Sequence, residues 1–350
     1  MEFLCRFILL KNVPEKVLMK KINLNWIVGI AIGIIFLIAW MRIVDWQEFL
    51  KYFHEFDLKM VLVFSLFYLL AYILRSIRWR IILKPIYKMG LIESFSIFMS
   101  GMLINYLIPI RAGEIAKSVI LKTRENAKIS DTLPSIFIDK LTDLFPIIFI
   151  MILIPLVSVK LNSALYIIIS LLFFIFLLFL AFLFFAVNHK TKAIRILNFF
   201  LKLLPKKYRK RFEDFFINFV DGMAIMHGRF AENCLVYFLT LLAVLSEAIY
   251  IYAVFRAFGS DVSYLKVLFG YTLMNLTYIL PTPPAQIGSN QFMWVLIFSF
   301  ALGVNENLTS AAVTFSHLLT SIWIFLTGGV SLIALKINLN QLLQSNKEKD

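Results

Sequence analysis

Six long apolar runs constrain this chain more than any other feature of its sequence. Each run has 17 or more residues, and an α-helix of about 20 residues crosses the roughly 30 Å of hydrocarbon in a bilayer. Hydrophobic residues make up 61% of the chain, whereas a soluble domain has about 45–50%. We therefore predict an all-α integral membrane protein with six spanning helices: Trp26–Val44, Leu58–Leu74, Pro134–Val157, Ala164–Val187, Asn233–Phe255 and Thr309–Leu335.

The net charge of +14 indicates membrane lipid rather than nucleic acid as the partner. The basic residues lie in short stretches between the apolar runs, where they set the topology and face anionic lipid headgroups. No basic stripe lies on a soluble module, so we expect no nucleic-acid partner. The two cysteines, Cys5 and Cys234, have no metal or redox spacing, which argues against a zinc site and a structural disulfide.

The placement of lysine and arginine predicts which loops are cytoplasmic, because cytoplasmic loops are enriched in these residues. Residues 1–21 and 75–88 are basic, whereas residues 45–57 carry four acids and one lysine. The connection 188–232 has ten Lys and Arg residues, and lysines recur in the tail 337–350. We therefore expect a multi-pass protein of the cell membrane with both termini in the cytoplasm.

Residues 94–124 do not fit a simple crossing of the membrane. The apolar stretch that ends near Pro109 lies between two basic segments, 75–88 and 111–128. If this stretch crossed the membrane, the second basic segment would lie outside. We therefore predict a re-entrant hairpin that enters from the cytoplasm, breaks near Pro109 and Gly113, and returns.

Residues 267–302 predict a second hairpin, which enters from outside. Pro281, Pro284 and Gly288 interrupt this apolar stretch. If the stretch crossed the membrane, the last spanning run would end outside, although basic residues follow it. Non-helical backbone at membrane depth has to line a cavity that protein encloses, so we expect both hairpins to border a polar cavity.

The two hairpins share a short motif. Asn105–Pro109 reads Asn-Tyr-Leu-Ile-Pro, and Thr277–Pro281 reads Thr-Tyr-Ile-Leu-Pro. Each half of the chain reads span, span, hairpin, span, starting from opposite sides of the membrane. This order favours an inverted repeat of residues 1–157 and 158–336, the plan of many secondary transporters. The alternative is one eight-helix bundle with two proline-kinked helices.

Nine polar residues at predicted membrane depth or in the hairpins are candidate substrate-binding residues. A charge at the bilayer centre costs at least roughly 2.5–3.5 kcal/mol, so such groups are normally paired and functional. We expect Arg111 or Lys140 to pair with Asp139 or Asp143, in a binding site or as structural ion pairs, and Glu247 to be a snorkelling or titrating group. The candidates are Asn105, Arg111, Glu114, Asp139, Lys140, Asp143, Glu247, Gln286 and Asn290.

The sequence lacks complete enzymatic signatures. It has no P-loop, no nucleophile elbow and no dinucleotide fingerprint, which are the motifs of nucleotide-dependent and acyl-transfer chemistry. Asp139 and Asp143 form the D-x-x-x-D pair that occurs in metal sites of lipid-headgroup transferases, but the upstream acidic half of that motif is missing. We therefore expect no catalytic activity, no metal site and no cofactor.

Three segments resemble a known family. Asn105–Glu114, Asp139–Asp143 and Pro284–Gln291 look like the flippase-like domain of the lysylphosphatidylglycerol synthase membrane region, and the resemblance runs from about Asn25 to Leu335. The third segment departs from the family's Pro-Gly-Gly-x-Gly followed by an acid, because it reads Pro-Ala-Gln-Ile-Gly and has Asn290 instead.

The resemblance implies the flipping half of a two-part lipid-modifying enzyme. In bifunctional members of the family a soluble aminoacyl transferase follows the membrane part, and we expect no such domain here, since the chain ends at Asp350. The expected function is translocation of a phospholipid or a lipid-linked phosphate, with Arg111 and the broken helix ends holding the phosphate. The partners would be membrane lipids with anionic headgroups.

Two other functions stay open from the sequence. The first is an integral-membrane lipid-phosphate transferase with a divalent metal at Asp139 and Asp143. The second is a membrane scaffold for a separate cytoplasmic lipid-modifying enzyme, which would tolerate loss of the buried charges. The sequence does not specify the oligomeric state.

Overall fold

Helices form all the regular structure in the described part of the chain. The computed structural model describes residues 15–336, apart from 55, 109–111, 126–128, 147, 149–162, 278–282 and much of 203–227. The helices are α1 (Glu15–Ile43), α2 (Trp46–Lys51), α3 (Leu58–Leu83), α4 (Leu91–Leu107), α5 (Ala112–Glu125), α6 (Ile129–Thr142), α7 (Ser163–Asn188), α8 (Lys190–Leu201), α9 (Phe230–Ala257), α10 (Tyr264–Thr277), α11 (Ser289–Trp294), which continues as a π-helix (Val295–Ala301), and α12 (Glu306–Ala334).

Several of these helices have the length and composition of membrane spans. In the described residues, α3, α9 and α12 are long and apolar enough to cross a bilayer, and shorter apolar segments lie at Gly29–Ile43, Leu91–Leu107 and Phe173–Asn188. The prediction of an all-helical protein with several apolar spans is therefore confirmed. The positions of six spans and two re-entrant hairpins relative to a bilayer stay predictions.

Helix α3 is apolar on its outer face and carries its polar groups inside. Leu62, Leu66 and Ile73 are exposed, whereas Ser76 and Arg78 are buried. A helix in water shows the opposite arrangement, with its apolar stripe facing the core. The outer face of α3 therefore suits lipid, and its inner face provides polar groups to the protein interior.

Helices α3 and α9 form the central pair of the fold. Ala71 on α3 and Ala243 and Ala248 on α9 are buried, and small residues allow helices in lipid to approach closely. The hydroxyl of Ser246 donates to the carbonyl of Phe67 at 2.8 Å and so links the two helices directly.

Helices α4 and α5 fold back on each other as the first helix pair. α4 ends at Leu107 and α5 begins at Ala112. A Cβ on Gly101 would lie 2.9 Å from the carbonyl oxygen of Gly113, and a Cβ on Gly113 would clash with the carbonyl oxygen of Gly101. The two backbones thus touch where only glycine fits. The predicted break residue Pro109 lies outside the described residues.

Helix α10 and the α11 segment form the second helix pair. The chain returns through a 3₁₀ turn, Pro284–Gln286, and a positive φ of 78° at Gly288. Helix α1 crosses this turn so closely that a Cβ on Gly33 would lie 2.9 Å from the Cβ of Pro283. Pro281 lies outside the described residues.

Two helices differ in extent from the predicted spans. α3 continues to Leu83, past the predicted end at Leu74, so Arg75 and Arg78 lie in the helix rather than in a cytoplasmic loop. α6 ends at Thr142 and a turn follows, because Pro146 has no N–H to donate to the Thr142 carbonyl and disfavours a helical residue before it. The predicted span continued to Val157, and residues 149–162 lie outside the described part.

The two ends of α12 mark opposite ends of the fold. Near its start, Asn305 donates to Glu48 of α2 at 3.3 Å. At its other end, the carbonyl of Leu335 accepts from Arg124 of α5 at 3.1 Å. α12 has 29 residues, so these two groups lie roughly 43 Å apart along the helix axis.

Single cysteines at the two ends test the predicted orientation. In a chain without Cys5 and Cys234, Lys51→Cys near Glu48 should react with a membrane-impermeant maleimide in intact cells. Thr123→Cys near Arg124 should react only after the membrane is opened, because the basic stretch around it is predicted to be cytoplasmic. Labelling of Thr123→Cys from outside would exclude a cytoplasmic turn after the first helix pair.

Candidate functional site

Six charged side chains form a closed ring between α3, α5 and α6. Positive and negative groups alternate around it, and each group contacts one of opposite sign on either side. The members, in order, are Arg78, Asp139, Lys117, Glu114, Lys140 and Asp143. With three cations and three anions the ring is neutral, so this cluster adds no net charge to the apolar interior.

Arg78 is the most highly connected member of the ring. Its Nε and Nη2 donate to Asp139 Oδ1 at 2.9 and 2.7 Å, and Nη2 also donates to Asp143 Oδ1 at 2.7 Å. Nη1 donates to the hydroxyl of Thr240 on α9 at 3.1 Å. The guanidinium thus connects α3, α6 and α9, a geometry that its planar fork of donors permits and a lysine would not.

Lys117 lies on the inner side of the ring and is fully enclosed. Its Nζ is 2.7 Å from Glu114 Oε2 and 3.6 Å from Asp139 Oδ2. The same ammonium lies over the rings of Trp79 and Phe98, at 5.1 and 4.6 Å from their centroids. These cation–π contacts replace part of the hydration that the ammonium lost on burial.

Lys140 closes the ring on the outer side. Its Nζ is 2.9 Å from Glu114 Oε1 and 3.1 Å from Asp143 Oδ2. The side chains of Lys140 and Asp143 are 36% and 31% exposed, whereas Arg78 and Asp139 are 1% and 0% exposed. The ring therefore meets its surroundings at one edge, where a cation and an anion lie side by side.

Asn105 couples the ring to the turn of the first helix pair. Its Oδ1 accepts from the backbone N–H of Gly113 at 2.7 Å, and its Nδ2 donates to Glu114 Oε1 at 3.0 Å. The backbone N–H can only donate, so the orientation of the amide is fixed. Asn105 thus provides an acceptor for one of the free N–H groups at the start of α5 and also holds Glu114 in place.

Glu247 has an ion-pair partner that the sequence analysis did not identify. Its carboxylate is 2.5 Å from Arg75 Nη2 and also accepts from the hydroxyl of Tyr271. Arg75 in turn donates to Tyr271 at 3.2 Å. Glu247 is therefore bound inside a three-residue cluster between α3, α9 and α10, and the expectation of a snorkelling group is wrong.

The predicted residues of the second helix pair lie apart from the ring. Gln286 belongs to the turn before α11, and its carbonyl accepts from Ser289 at 3.1 Å. Asn290 is buried, and its Oδ1 has no hydrogen-bond partner among the described residues. Neither residue is a member of the ring, so the structure groups the charged candidates and leaves these two neutral ones separate.

The structure brings together Asn105, Glu114, Asp139, Lys140 and Asp143. It shows the expected Lys140–Asp143 pair, and Arg111 lies outside the described residues. The sequence analysis did not select the ring members Arg78 and Lys117, or Arg75, the partner of Glu247. It had assigned Arg75 and Arg78 to a cytoplasmic loop. A signal existed, because an apolar pattern resumes after Arg80 with Ile-Ile-Leu, and residues three apart, such as Arg75 and Arg78, share one face of a helix.

A metal site is a further chemical possibility for a cluster of carboxylates. Within the described residues, no three His, Cys, Asp or Glu side chains form a group that could hold a metal ion. Asp139 and Asp143 instead face the guanidinium of Arg78. In the structure the carboxylates of the ring are thus paired with cationic side chains.

The amino-acid sequence is similar to those of one known protein family. The family model for the lysylphosphatidylglycerol synthase TM region matches residues 26–328. A UPF0104 membrane protein of Methanothermobacter thermautotrophicus is 25% identical over 321 residues, which cover 87% of this chain and 93% of that protein. No solved structure matches the chain.

Breaking the ring at its buried side should destabilise the protein more than breaking it at its open edge. Arg78→Leu leaves the buried Asp139 without its main counter-charge, and removing one partner of a buried ion pair costs about 3–5 kcal/mol. Lys140→Ala should cost less, because Asp143 is partly solvated and keeps Arg78, and Glu114 keeps Lys117. Thermal unfolding of the detergent-solubilised variants measures both effects.

The double variant Arg78→Leu with Asp139→Leu is the matched control. It removes both charges of the buried pair, so it should be more stable than Arg78→Leu alone. If Arg78→Leu unfolds at the same temperature as Lys140→Ala, the buried half of the ring stabilises the fold no more than the open edge does.

Proposed function

The chain belongs to the lysylphosphatidylglycerol synthase TM region family, and on this premise we propose that it is a membrane translocase that moves a phospholipid or a lipid-linked phosphate across the bilayer. We propose further that the protein has no catalytic activity of its own. The observation that carries it is the open edge of the ion ring, where Lys140 and Asp143 are about one-third exposed beside the first helix pair.

Lys140 is the group best placed to receive a lipid phosphate. Its ammonium contacts two carboxylates, Glu114 and Asp143, and a phosphate entering at the open edge would exchange with one of them as its counter-charge. Hydrogen bonds between an ammonium and a phosphate are charge-assisted and about twice as strong as neutral ones. Arg111 precedes Gly113 by two residues in the chain and is the second candidate for the phosphate.

The packing of the helices supports the inverted repeat in this proposal. α3 packs on α4 and α6 in the first half, and α9 packs on α10 and α12 in the second. In the same way α5 packs on α6, and α11 packs on α12. These parallel contacts are what an inverted repeat around the central α3–α9 pair would produce, as in many secondary transporters.

The lengths of the paired helices support re-entrant hairpins. α5 and α10 have 14 residues each, which corresponds to about 21 Å. This is shorter than the roughly 30 Å of hydrocarbon that a spanning helix has to cross. A headgroup could move between the two hairpins beside polar side chains while its acyl tails stay in lipid.

Translocation of a labelled lipid tests the role of Lys140. The purified protein is placed in liposomes with a fluorescent phosphatidylglycerol, and dithionite quenches the label in the outer leaflet only. Lys140→Gln should slow equilibration at least about tenfold, which corresponds to the loss of roughly one charged contact. Lys59→Gln is the matched control, because Lys59 is exposed and the charge change is the same.

The outcomes of this experiment separate the candidate functions. Equal rates for wild type and empty liposomes would contradict translocation of phosphatidylglycerol. A covalent product that depends on divalent metal would favour the lipid-phosphate transferase instead. A third outcome is that the protein neither transports the lipid nor forms a product, while variants of the ring residues keep the protein's full function in cells. This outcome would favour a scaffold for a cytoplasmic enzyme.

Two further substitutions test the phosphate site. Arg111→Ala and Asp143→Asn should abolish translocation and leave a folded protein in the membrane, since Asp143 is at the partly exposed edge and Asn keeps its shape. Size-exclusion profiles in detergent check the folding, and the liposome assay measures the rate. Full activity of both variants would show that the open edge is not the binding site.

A further inference from the structure

A chain of hydrogen bonds connects the two helix pairs through His317 on α12. The N–H of Gly288 donates to Gln291 Oε1 at 2.9 Å, and Gln291 Nε2 lies 3.1 Å from His317 Nδ1. His317 Nε2 lies 3.1 Å from the hydroxyl of Tyr106, which also contacts Ser321. Gln291 and Tyr106 belong to different helix pairs, and His317 lies between them.

The direction of every bond in this chain is fixed by its first member. The N–H of Gly288 can only donate, so the oxygen of the Gln291 amide faces Gly288 and the NH₂ group faces His317. An NH₂ group can only donate, so His317 Nδ1 has no proton and Nε2 carries it. Tyr106 then accepts from His317 and donates to Ser321, which donates to the carbonyl of His317.

The chain connects the two places where the helix pairs turn. Gln291 is in the first turn of α11, directly after the turn of the second pair, and Tyr106 is in the last turn of α4, directly before the turn of the first pair. His317, Gln291 and Tyr106 are 9%, 8% and 7% exposed. These hydrogen bonds are therefore shielded from competing solvent, and they link the two turns directly.

We propose that His317 is a positioning residue that holds the two helix pairs together only as a neutral imidazole, so that its protonation releases them. The inference rests on the proposed function, because these pairs enclose the path of the headgroup. A proton on Nδ1 would place two donors, the imidazole N–H and the amide NH₂, against each other. Rotation of the amide would not help, since its NH₂ group would then face the N–H of Gly288.

The neighbours of His317 favour this behaviour. Among the described residues, Tyr106 from α4 contacts its Nε2, and Tyr250 from α9 donates to the carbonyl of the preceding Ser316 at 3.4 Å. The backbone of Ala285 in the turn before α11 is a further hydrogen-bonding neighbour. Within the described residues no carboxylate pairs with the ring of His317, so its protonation would bury a charge that has only the backbone of Ala285 as a favourable contact.

Nitrogen NMR of ¹⁵N-histidine-labelled protein tests the proton arrangement directly. The chain has only four histidines, and His317→Gln assigns the signal. At pH 7.5 the wild type should show His317 as the neutral Nε2–H tautomer. Gln291→Glu places a carboxylate that accepts from both Gly288 and His317 Nδ1–H, so this variant should already show an imidazolium at pH 7.5. A Nδ1–H tautomer in the wild type would overturn the proposal.

A distance measurement tests the release of the helix pairs. Spin labels on Leu107→Cys and Ile287→Cys, both exposed positions, report the separation of the two turns in a chain without Cys5 and Cys234. The wild type should give one narrow distance at pH 7.5 and a longer or broader distribution at pH 5. His317→Gln, which stays neutral, should give the same distribution at both values, and an unchanged wild-type distribution would overturn the proposal.

The liposome assay tests whether protonation of His317 affects transport, and it distinguishes this inference from the proposed function. Translocation of the labelled phosphatidylglycerol should depend on pH between 5 and 7.5 in the wild type, and Lys59→Gln should keep this dependence. His317→Gln should lose it. If no variant moves the lipid while the tautomer and the distances behave as stated, the proposed function fails and the inference on His317 stands.

Discussion

The fold depends on one electrostatic constraint, which is that charges inside a body of apolar helices have to be neutralised where they lie. Arg78, Lys117, Glu114 and Asp139 are almost fully enclosed. Lipid does not favour burial of one apolar helix against another, so close packing and polar contacts hold membrane helices together. The ring supplies such contacts between α3, α5 and α6, and Arg78 extends them to α9 through Thr240.

Both helix pairs use a side-chain amide to pair the backbone at the start of the returning helix, with different chemistry beyond it. In the first half, Asn105 accepts the N–H of Gly113 and holds the charged Glu114. In the second half, Gln291 accepts the N–H of Gly288 and holds the neutral His317. In both pairs an amide side chain thus pairs the backbone at the start of the returning helix. In the first pair this amide also contacts the ion ring, and in the second it also contacts a series of neutral hydrogen-bonded groups. This difference fits a headgroup site in the first half and a linking element in the second.

Local patterns in the sequence predicted the helices well and the partners of the charges poorly. Apolar runs identified α3, α9 and α12, because their spacing and length are properties of contiguous residues. The partner of Asp139 is Arg78, which is 61 residues away, and no local pattern carries that pairing. Arg75 and Arg78 were not considered as partners of the acids, because they were assigned to a cytoplasmic loop. The positive-inside rule does not distinguish an arginine in a loop from one buried in the last turns of a span.

The turn before α11 shows why the linking element needs support from two sides. Ala285 and Gln286 have φ values of 52° and 56°, a conformation that costs a non-glycine residue about 1–3 kcal/mol. Such a turn persists only if its surroundings fix it. Helix α1 contacts it from one side at Gly33, and Gln291 with His317 anchors its end from the other. The turn also contacts α4. Because it is strained, loss of the His317 contact would remove one of its supports and favour its relaxation.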